Sequence, residues 1–213
     1  MPDYKTVKTA GKDEFVVKKS KFIGHCCPIS TEEAALEFIR NTKTKYWDAS
    51  HNVYAYNLCK SGIMRYSDDG EPQGTAGIPV LDVLKKSEIQ DAVIVVTRYF
   101  GGTLLGGGGL VRAYSHSASI AIAAAQPVAM RQCKQLSLRC EYTHYAKIQE
   151  MILFALGEID DTVFEDGVTI LFHMLPDKIP EFTRKIADIT AGLGKIQSLA
   201  DKYYEFRLNG FAK

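Results

Sequence analysis

A run of glycines between two arginines has the residue types of an anion-binding site. It lies in "VTRYFGGTLLGGGGLVRAY" (96–114), where a predicted strand leads into a helix, with Arg98 before the glycines and Arg112 after them. A glycine-rich turn at a helix start directs several backbone N–H groups to one point, and the helix dipole favours negative charge there. The sequence therefore predicts a phosphate or carboxylate site; the alternative is that the glycines only permit turns and close packing. The candidate glycines are Gly101, Gly102, Gly106, Gly107, Gly108 and Gly109.

Two common nucleotide-binding signatures are absent from this run. A P-loop requires a Lys-Ser/Thr pair, which does not occur here. The pattern G-x-G-x-x-G fails because Val111 stands where the third glycine is needed. We therefore predict no cofactor.

A second glycine-rich loop, "SDDGEPQGTAGIPVL" (67–81), also leads into a predicted helix. Its glycines could form another cluster of N–H donors, and its acids could bind a cation, act in acid–base chemistry or only cap backbone N–H groups. Two such loops in one domain favour a shared cleft. The candidate anion-binding residues of this loop are Gly74, Thr75 and Gly77, and the candidate acidic group is Asp68, Asp69 and Glu71 together with His51.

Composition sets the class of protein. The chain has 213 residues, 46% of them hydrophobic, and a net charge of +1, so bulk charge favours neither nucleic acid nor membrane as a partner. The five cysteines form no C-x-x-C pair, and the histidines show no ligand spacing, so we predict no metal site. With no signal peptide or apolar run of transmembrane length, the sequence predicts a reduced, cytoplasmic protein.

The elements that must position these loops lie in residues 1–130. We predict one long strand over 15–29 with a bulge at Ser20–Lys21, and then a helix that begins at a capping box of Ser30 and Glu33. A strand over 51–58 pairs with a second over 63–67. The apolar segment "DAVIVVTRYF" (91–100) predicts a central strand. Helices are predicted over about 79–87, after the acidic loop, and 110–125, after the glycine run.

Residues 131–213 have the pattern of a second domain. Strand, helix, a hairpin around Asp166-Gly167, a helix after Pro176 and a last strand in "YYEFRL" give the order β-α-β-β-α-β, which is the ferredoxin-like arrangement. We therefore predict an α+β protein of two domains. The open face of the second sheet could contact RNA or a protein, although the RNA-recognition signature is absent. Its candidate residues include Arg139, His173, Tyr203 and Arg207.

Four segments together closely resemble the bacterial IMPACT family over about residues 20–125: both glycine-rich loops, "SKFIGH" and "ASHNVYAY". The resemblance implies a first domain, an α/β sandwich, with the domain-2 fold of a small-subunit ribosomal protein. It implies a second domain like the last, ferredoxin-like domain of elongation factor G. The eukaryotic namesake regulates translation in the amino-acid-starvation kinase pathway. The family offers no agreed catalytic residues, so none is assigned.

Three functions remain open at this point. The first is a non-enzymatic regulator of translation that associates with RNA or the ribosome, or with a protein partner in translation control, and contacts phosphate through its glycine-rich loops. The second is an enzyme that acts on a small phosphorylated or carboxylated substrate, with the acidic group and His51 as its acid–base residues. The third is a protein-interaction module in which the glycines are architectural. We favour the first, without a membrane partner.

Overall fold

The computed structural model describes residues 3–59 and 61–207, the side chain of Arg207 excepted. These residues form two compact units: the first is Tyr4–Ala129 with residues 206–207, and the second is Met130–Glu205 with Asp3. The first unit begins with β1 (Tyr4–Val7), β2 (Gly11–Val17), β3 (Ser20–Pro28), α1 (Glu32–Lys45), β4 (His51–Leu58) and β5 (Ile63–Ser67), and continues with α2 (Gly77–Lys86), β6 (Ala92–Tyr99) and α3 (Gly107–Ala124).

An antiparallel sheet in the order β2-β3-β6-β4-β5 organises the first unit. The predicted central position of β6 is confirmed, and seven of its eight residues are buried. Side chains alternate along a strand between the two faces of its sheet. Ile94 and Val96 pack in a core with residues of α2 and α3, whereas Val93 and Val95 pack in another with Ala35 of α1. Helix α1 therefore covers one face, and α2 and α3 cover the other.

The predicted single strand over 15–29 is wrong. Strands β2 and β3 form a hairpin in which Val17 pairs with Ser20 across a two-residue turn. Both turn residues have positive φ, 45° at Lys18 and 65° at Lys19, which is the pattern of a type I′ turn. Such turns usually contain Asn or Gly, so two lysines gave no turn signal.

The predicted cap of α1 is displaced by one residue. Thr31, rather than Ser30, precedes the helix, and its hydroxyl accepts a hydrogen bond from the Ala34 N–H at 3.2 Å. Both residue types cap helices well, so the sequence pattern alone does not separate adjacent Ser and Thr. The error leaves the position of α1 on the sheet unchanged.

The second unit has the predicted element order β-α-β-β-α-β. Four of its strands pair in the order β10-β7-β9-β8. Its apolar core contains Leu138, Phe172, Ile152 and Phe182. The elements are β7 (Pro127–Cys140), which begins within the first unit, α4 (Tyr142–Phe154), β8 (Glu158–Phe164), β9 (Val168–Met174), α5 (Ile179–Ile189) and β10 (Lys195–Arg207).

In the described part of the chain, none of the helices is both long and apolar enough to cross a membrane. No group of three or more His, Cys, Asp or Glu side chains there has a geometry that could hold a metal ion. The five cysteines are unpaired, and Cys26, Cys133 and Cys140 are buried.

Candidate functional site

In the acidic loop between β5 and α2, the carboxylate of one aspartate binds backbone N–H groups of the same loop. Asp68 accepts hydrogen bonds from the backbone N–H groups of Gly74 at 2.9 Å, Ala76 at 3.1 Å and Gly77 at 2.7 Å. Gly74 has a φ of 77°, which favours glycine. A Cβ at Gly77 would lie 2.8 Å from the carbonyl carbon of Ser67. The N–H groups of Gly74 and Gly77, which were predicted to bind an anion, are therefore already bonded to Asp68. Backbone conformation at Gly74 and close packing at Gly77 explain why both residues are glycine.

Asp69 fastens the same loop to α1 and β4. Its carboxylate accepts from the Lys43 Nζ at 2.6 Å and from the Asn52 N–H at 2.6 Å. The Asp69 carbonyl lies 2.9 Å from the His51 Nδ1, and because a carbonyl only accepts, this nitrogen carries the proton. The other ring nitrogen, His51 Nε2, lies 3.8 Å from Glu71 Oε1. The structure therefore places the residues of the predicted acidic group close together, and hydrogen bonds and ion pairs hold them to the rest of the fold.

Glu71 lies in the interior, where it pairs with Arg98. The side chains of Glu71 and Arg98 are only 3% and 6% exposed. Glu71 Oε1 accepts from the Arg98 Nη1 and, at 2.8 Å, from the Tyr114 hydroxyl. Burial, reinforced by the negative charge of Glu71, raises the pKa of Tyr114 well above its usual value. Buried charges require such partners, so this cluster holds the acidic loop against β6 and α3.

Arg98 and Arg112 therefore have different environments. Arg98 is buried against Glu71, and its guanidinium carbon lies 5.4 Å from the ring centre of Phe22 and 5.5 Å from that of Phe100. Arg112 is exposed on the second turn of α3. The expectation that both arginines bind one external anion does not fit these positions, because the charge of Arg98 is already balanced within the protein.

The glycine run contains residues with different structural roles. A Cβ at Gly101 would lie 2.0 Å from the backbone of Lys19, so close packing requires glycine there. Gly102 and Gly106 have φ angles of 80° and 72°, which L side chains rarely adopt. Helix α3 begins just after Gly106, and none of the described side chains caps it. The first turn is therefore left to solvent or to a ligand.

Gly107 and Gly108, by contrast, have no such structural requirement. Both are exposed. No described heavy atom would lie within 4 Å of a Cβ at Gly108, and only the Thr75 methyl group, at 4.0 Å, would lie that near a Cβ at Gly107. The position of Thr75 near Gly107 shows that the two glycine-rich loops approach each other here. Glycine in a helix costs about 1 kcal/mol relative to alanine, and neither packing nor a positive φ offsets that cost at these positions.

A cavity of about 270 Å³ opens beside this first turn. It contains two cationic side chains, Arg112 and Lys18, and among the described residues that line it none is acidic. Lys18 was missed as a site residue because the sequence placed it inside a strand, whereas the structure places it in the β2–β3 turn. The cavity is lined by Phe15, Val17, Lys18, Leu105, Gly109, Arg112, Ala113 and His116.

The predicted open face of the second unit differs from expectation. His173 is buried, its Nδ1 lies 2.8 Å from Asp160 Oδ1, and its ring stacks on Tyr204 rather than on Tyr203. Since side chains alternate along a strand, the assignment of Tyr203 to the face of His173 is wrong by one residue. Arg139 is exposed and donates to Asp166 at 2.5 Å, and the side chain of Arg207 lies outside the described residues.

Comparisons with known proteins match both units. The Impact N-terminal domain matches residues 18–122, and a domain of unknown function (DUF1949) matches residues 138–202. IMPACT family member YvyE of Bacillus subtilis (strain 168) is 36% identical over 207 residues, which are 97% of this chain and 95% of the relative. The chain belongs to the IMPACT family. A second IMPACT family member, YigZ of Escherichia coli (strain K12), is 33% identical over 179 residues, which are 83% of this chain and 88% of that relative.

A solved structure is similar over nearly the whole chain. It is the crystal structure of a hypothetical protein, 29% identical, with a TM-score of 0.58 over 94% of this chain and 98% of that one. The Impact N-terminal match begins at Lys18 and includes both glycine-rich loops. The first turn of α3, Lys18 and Arg112 therefore lie within the matched part of the chain.

Proposed function

We propose that this IMPACT family protein is a non-enzymatic regulator of translation that acts in the cytoplasm and binds structured RNA of the ribosome. In this proposal an RNA phosphate contacts the exposed first turn of α3, and the cations of the adjacent cavity neutralise it. The observation that carries the proposal is the uncapped first turn, at Gly107 and Gly108, beside the cavity lined by Lys18 and Arg112.

The chemistry of the first turn supports a phosphate as ligand. The N–H groups at the start of a helix have no partner within the helix, and the dipole places partial positive charge there. Because Gly107 and Gly108 carry no side chain, a phosphate oxygen can reach the backbone directly. Lys18 of the β2–β3 turn and Arg112 of α3 itself add two full charges. Phosphate contacts of this kind fix the position of a protein on RNA.

The backbone at Lys18 supports the same proposal. Lys18 and Lys19 both have positive φ, where non-glycine residues are strained by about 1 kcal/mol or more each. Asn-Gly would form this turn with less strain. A lysine in a strained conformation beside the uncapped start of α3 supports a binding role for Lys18.

Net charge restricts how RNA is recognised. At +1 the whole chain does not attract a polyanion from a distance. Binding then depends on local contacts at the α3 first turn, which favours a structured RNA element over RNA of any sequence and shape.

We further propose the fold assignments that the resemblance implied. A five-stranded sheet with helices on both faces supports the domain-2 fold of a small-subunit ribosomal protein for the first unit. The order β-α-β-β-α-β, with strands ordered β10-β7-β9-β8, supports a ferredoxin-like second unit similar to the last domain of elongation factor G.

The structural roles of the acids favour binding over catalysis. Asp68 binds three backbone N–H groups, Asp69 binds Lys43 and β4, and Glu71 balances a buried arginine. Each of these carboxylates has its hydrogen bonds within the fold. We therefore do not assign an acid–base mechanism to the group.

The proposal is tested by co-sedimentation with ribosomes and with free structured RNA across a salt series. We expect the Lys18→Ala/Arg112→Ala variant to bind more weakly and to lower the slope of log affinity against log salt by about two, since two phosphate contacts are lost. The matched control is Lys86→Ala/Arg184→Ala, which removes the same charges from exposed sites elsewhere. No binding at low salt, or equal slopes for the two variants, would overturn the proposal.

A further inference from the structure

The second half of α1 and the two residues that follow it carry cations and aromatic rings without acids. Residues 40–47, "RNTKTKYW", include one arginine, two lysines, a tyrosine and a tryptophan, whereas the first half of the helix contains three glutamates. Trp47 is the single tryptophan of the chain and is 83% exposed. An aromatic side chain so exposed beside cations is typical of a binding surface rather than of a core.

These side chains border a shallow groove of about 660 Å³. Arg40 and Lys43 lie about one turn apart on α1, and Trp47 lies two residues beyond the end of the helix, so that all three line the same groove. Tyr54 of β4 closes the groove from the sheet and lies 6.4 Å, ring centre to ring centre, from Tyr56. The groove is lined by Leu36, Ile39, Arg40, Lys43, Thr44, Trp47 and Tyr54.

The side chains that line the groove carry positive charge, although the charge of Lys43 is partly balanced by Asp69. Lys43 Nζ lies 2.6 Å from Asp69 and 5.7 Å from the ring centre of Tyr54. Arg40 is exposed at the rim. The acids nearest along the chain are Glu37, which is exposed one helical turn before Arg40, and Asp48, whose carboxylate accepts from the Tyr99 hydroxyl at 2.8 Å. Because Lys43 is paired with Asp69, Arg40 is the cation that a polyanion would contact, with the apolar and aromatic floor beside it.

We propose that this α1 groove binds single-stranded RNA, with an unpaired base stacked on the Trp47 ring and an adjacent phosphate at Arg40. Bases stack on aromatic side chains whatever their sequence, and cations beside the ring hold the backbone. A duplex keeps its bases stacked inside, so it cannot use the ring. An acidic peptide would use Arg40 but would gain less from a flat open indole.

The groove lies on a different face of the sheet from the first turn of α3. Helix α1 packs on the face of Val93 and Val95, and α3 packs on the opposite face. The inference thus adds a second contact surface. Only the choice of RNA over other single-stranded nucleic acid rests on the proposed function.

The single tryptophan makes the test direct. The full chain is titrated with an eight-nucleotide oligouridylate, with duplex RNA of equal length and with an acidic peptide, while Trp47 fluorescence is recorded. We expect saturable quenching by the oligouridylate and no comparable change with the other two. No quenching by the oligouridylate, or stronger quenching by the peptide, would refute the inference.

Variants separate stacking from general attraction. With a labelled oligouridylate followed by anisotropy, Trp47→Leu should lose about 5- to 100-fold in affinity, and Trp47→Tyr should retain most of it. The side chain is exposed, so both variants are expected to fold. Wild-type affinity in Trp47→Leu would overturn the inference.

The Lys18→Ala/Arg112→Ala variant distinguishes the two proposals. It should bind the oligouridylate with unchanged affinity even where its ribosome binding is lost. Loss of oligouridylate quenching in that variant would mean that the signal comes from the α3 site, and the α1 groove would be rejected. If the wild type shows this quenching but does not bind ribosomes at low salt, the proposed function is refuted and the stacking site is retained.

Discussion

Replacement of Arg98 tests the central structural statement about the candidate site. The sequence placed Arg98 among anion-binding residues, whereas the structure places it in the interior against Glu71. Arg98→Met keeps much of the side-chain volume and removes the charge. If Arg98 balances Glu71, the variant loses stability; if Arg98 serves an external anion, it loses ligand affinity alone.

The size of the effect follows from burial. Removal of one partner from a buried ion pair typically costs about 3–5 kcal/mol, because the other charge stays in the interior without compensation. In Arg98→Met the Glu71 carboxylate would keep the Tyr114 hydroxyl at 2.8 Å and His51 at 3.8 Å, which do not supply a permanent positive charge. We expect a loss of about 3 kcal/mol or more in the free energy of unfolding.

The assay is urea unfolding followed by circular dichroism, with a double-mutant cycle. Arg98→Met/Glu71→Gln should be less destabilised than the sum of its single variants, because the amide carries no charge to strand in the interior. The control is Arg112→Ala, an exposed arginine, which should change stability by no more than about 0.5 kcal/mol. The reasoning is refuted if Arg98→Met unfolds like wild type and binds RNA more weakly.

Three further predictions concern the same unit. Gly101→Ala should destabilise this unit strongly, since the new Cβ would lie 2.0 Å from the Lys19 backbone. Gly108→Ala has open space around its Cβ, so its free energy of unfolding should stay unchanged or rise by up to about 1 kcal/mol, whereas its RNA binding should weaken. Lys18→Asn/Lys19→Gly should relieve the strained turn, so the urea midpoint should rise while ribosome binding falls, and a fall in both would contradict the strain argument. Burial lowers the pKa of His25 to about 4 from 6.5, so as the pH falls the unfolded chain takes up the proton before the folded protein does. The stability present above pH 6.5 is therefore lost as the pH falls towards 4, by on the order of 3 kcal/mol. The free energy of unfolding of His25→Phe should lack this loss, and a pH profile like that of the wild type would contradict the prediction.

Local patterns in the sequence were sufficient for most elements. The apolar run that became β6 and the stripe that became α3 were both identified, because periodicity and burial are local properties. The order of elements in the second unit followed from the same signals. The lengths were less well predicted: β10 begins at Lys195 rather than Tyr203, since a solvated strand end carries no apolar alternation.

The site depended on contacts that no local pattern contains. Glu71 and Arg98 are 27 positions apart, and nothing near either residue marks the other as its partner. The hairpin turn at Lys18 and Lys19 was missed because its residues are atypical of the turn they form. The glycines were recognised as a group, but only the three-dimensional environment separates Gly101, which packing requires, from Gly108, which packing does not.

Asp68 gives the acidic loop a property that differs from that of the α3 first turn. Three N–H donors of the loop hold a carboxylate that is tethered to them, so any free anion competes with a ligand at high effective concentration. The three N–H groups of this loop are therefore already occupied by a carboxylate of the same chain. Of the two glycine-rich loops, the acidic loop has its N–H groups bound to Asp68, whereas the first turn of α3 keeps its N–H groups open to solvent or to a ligand.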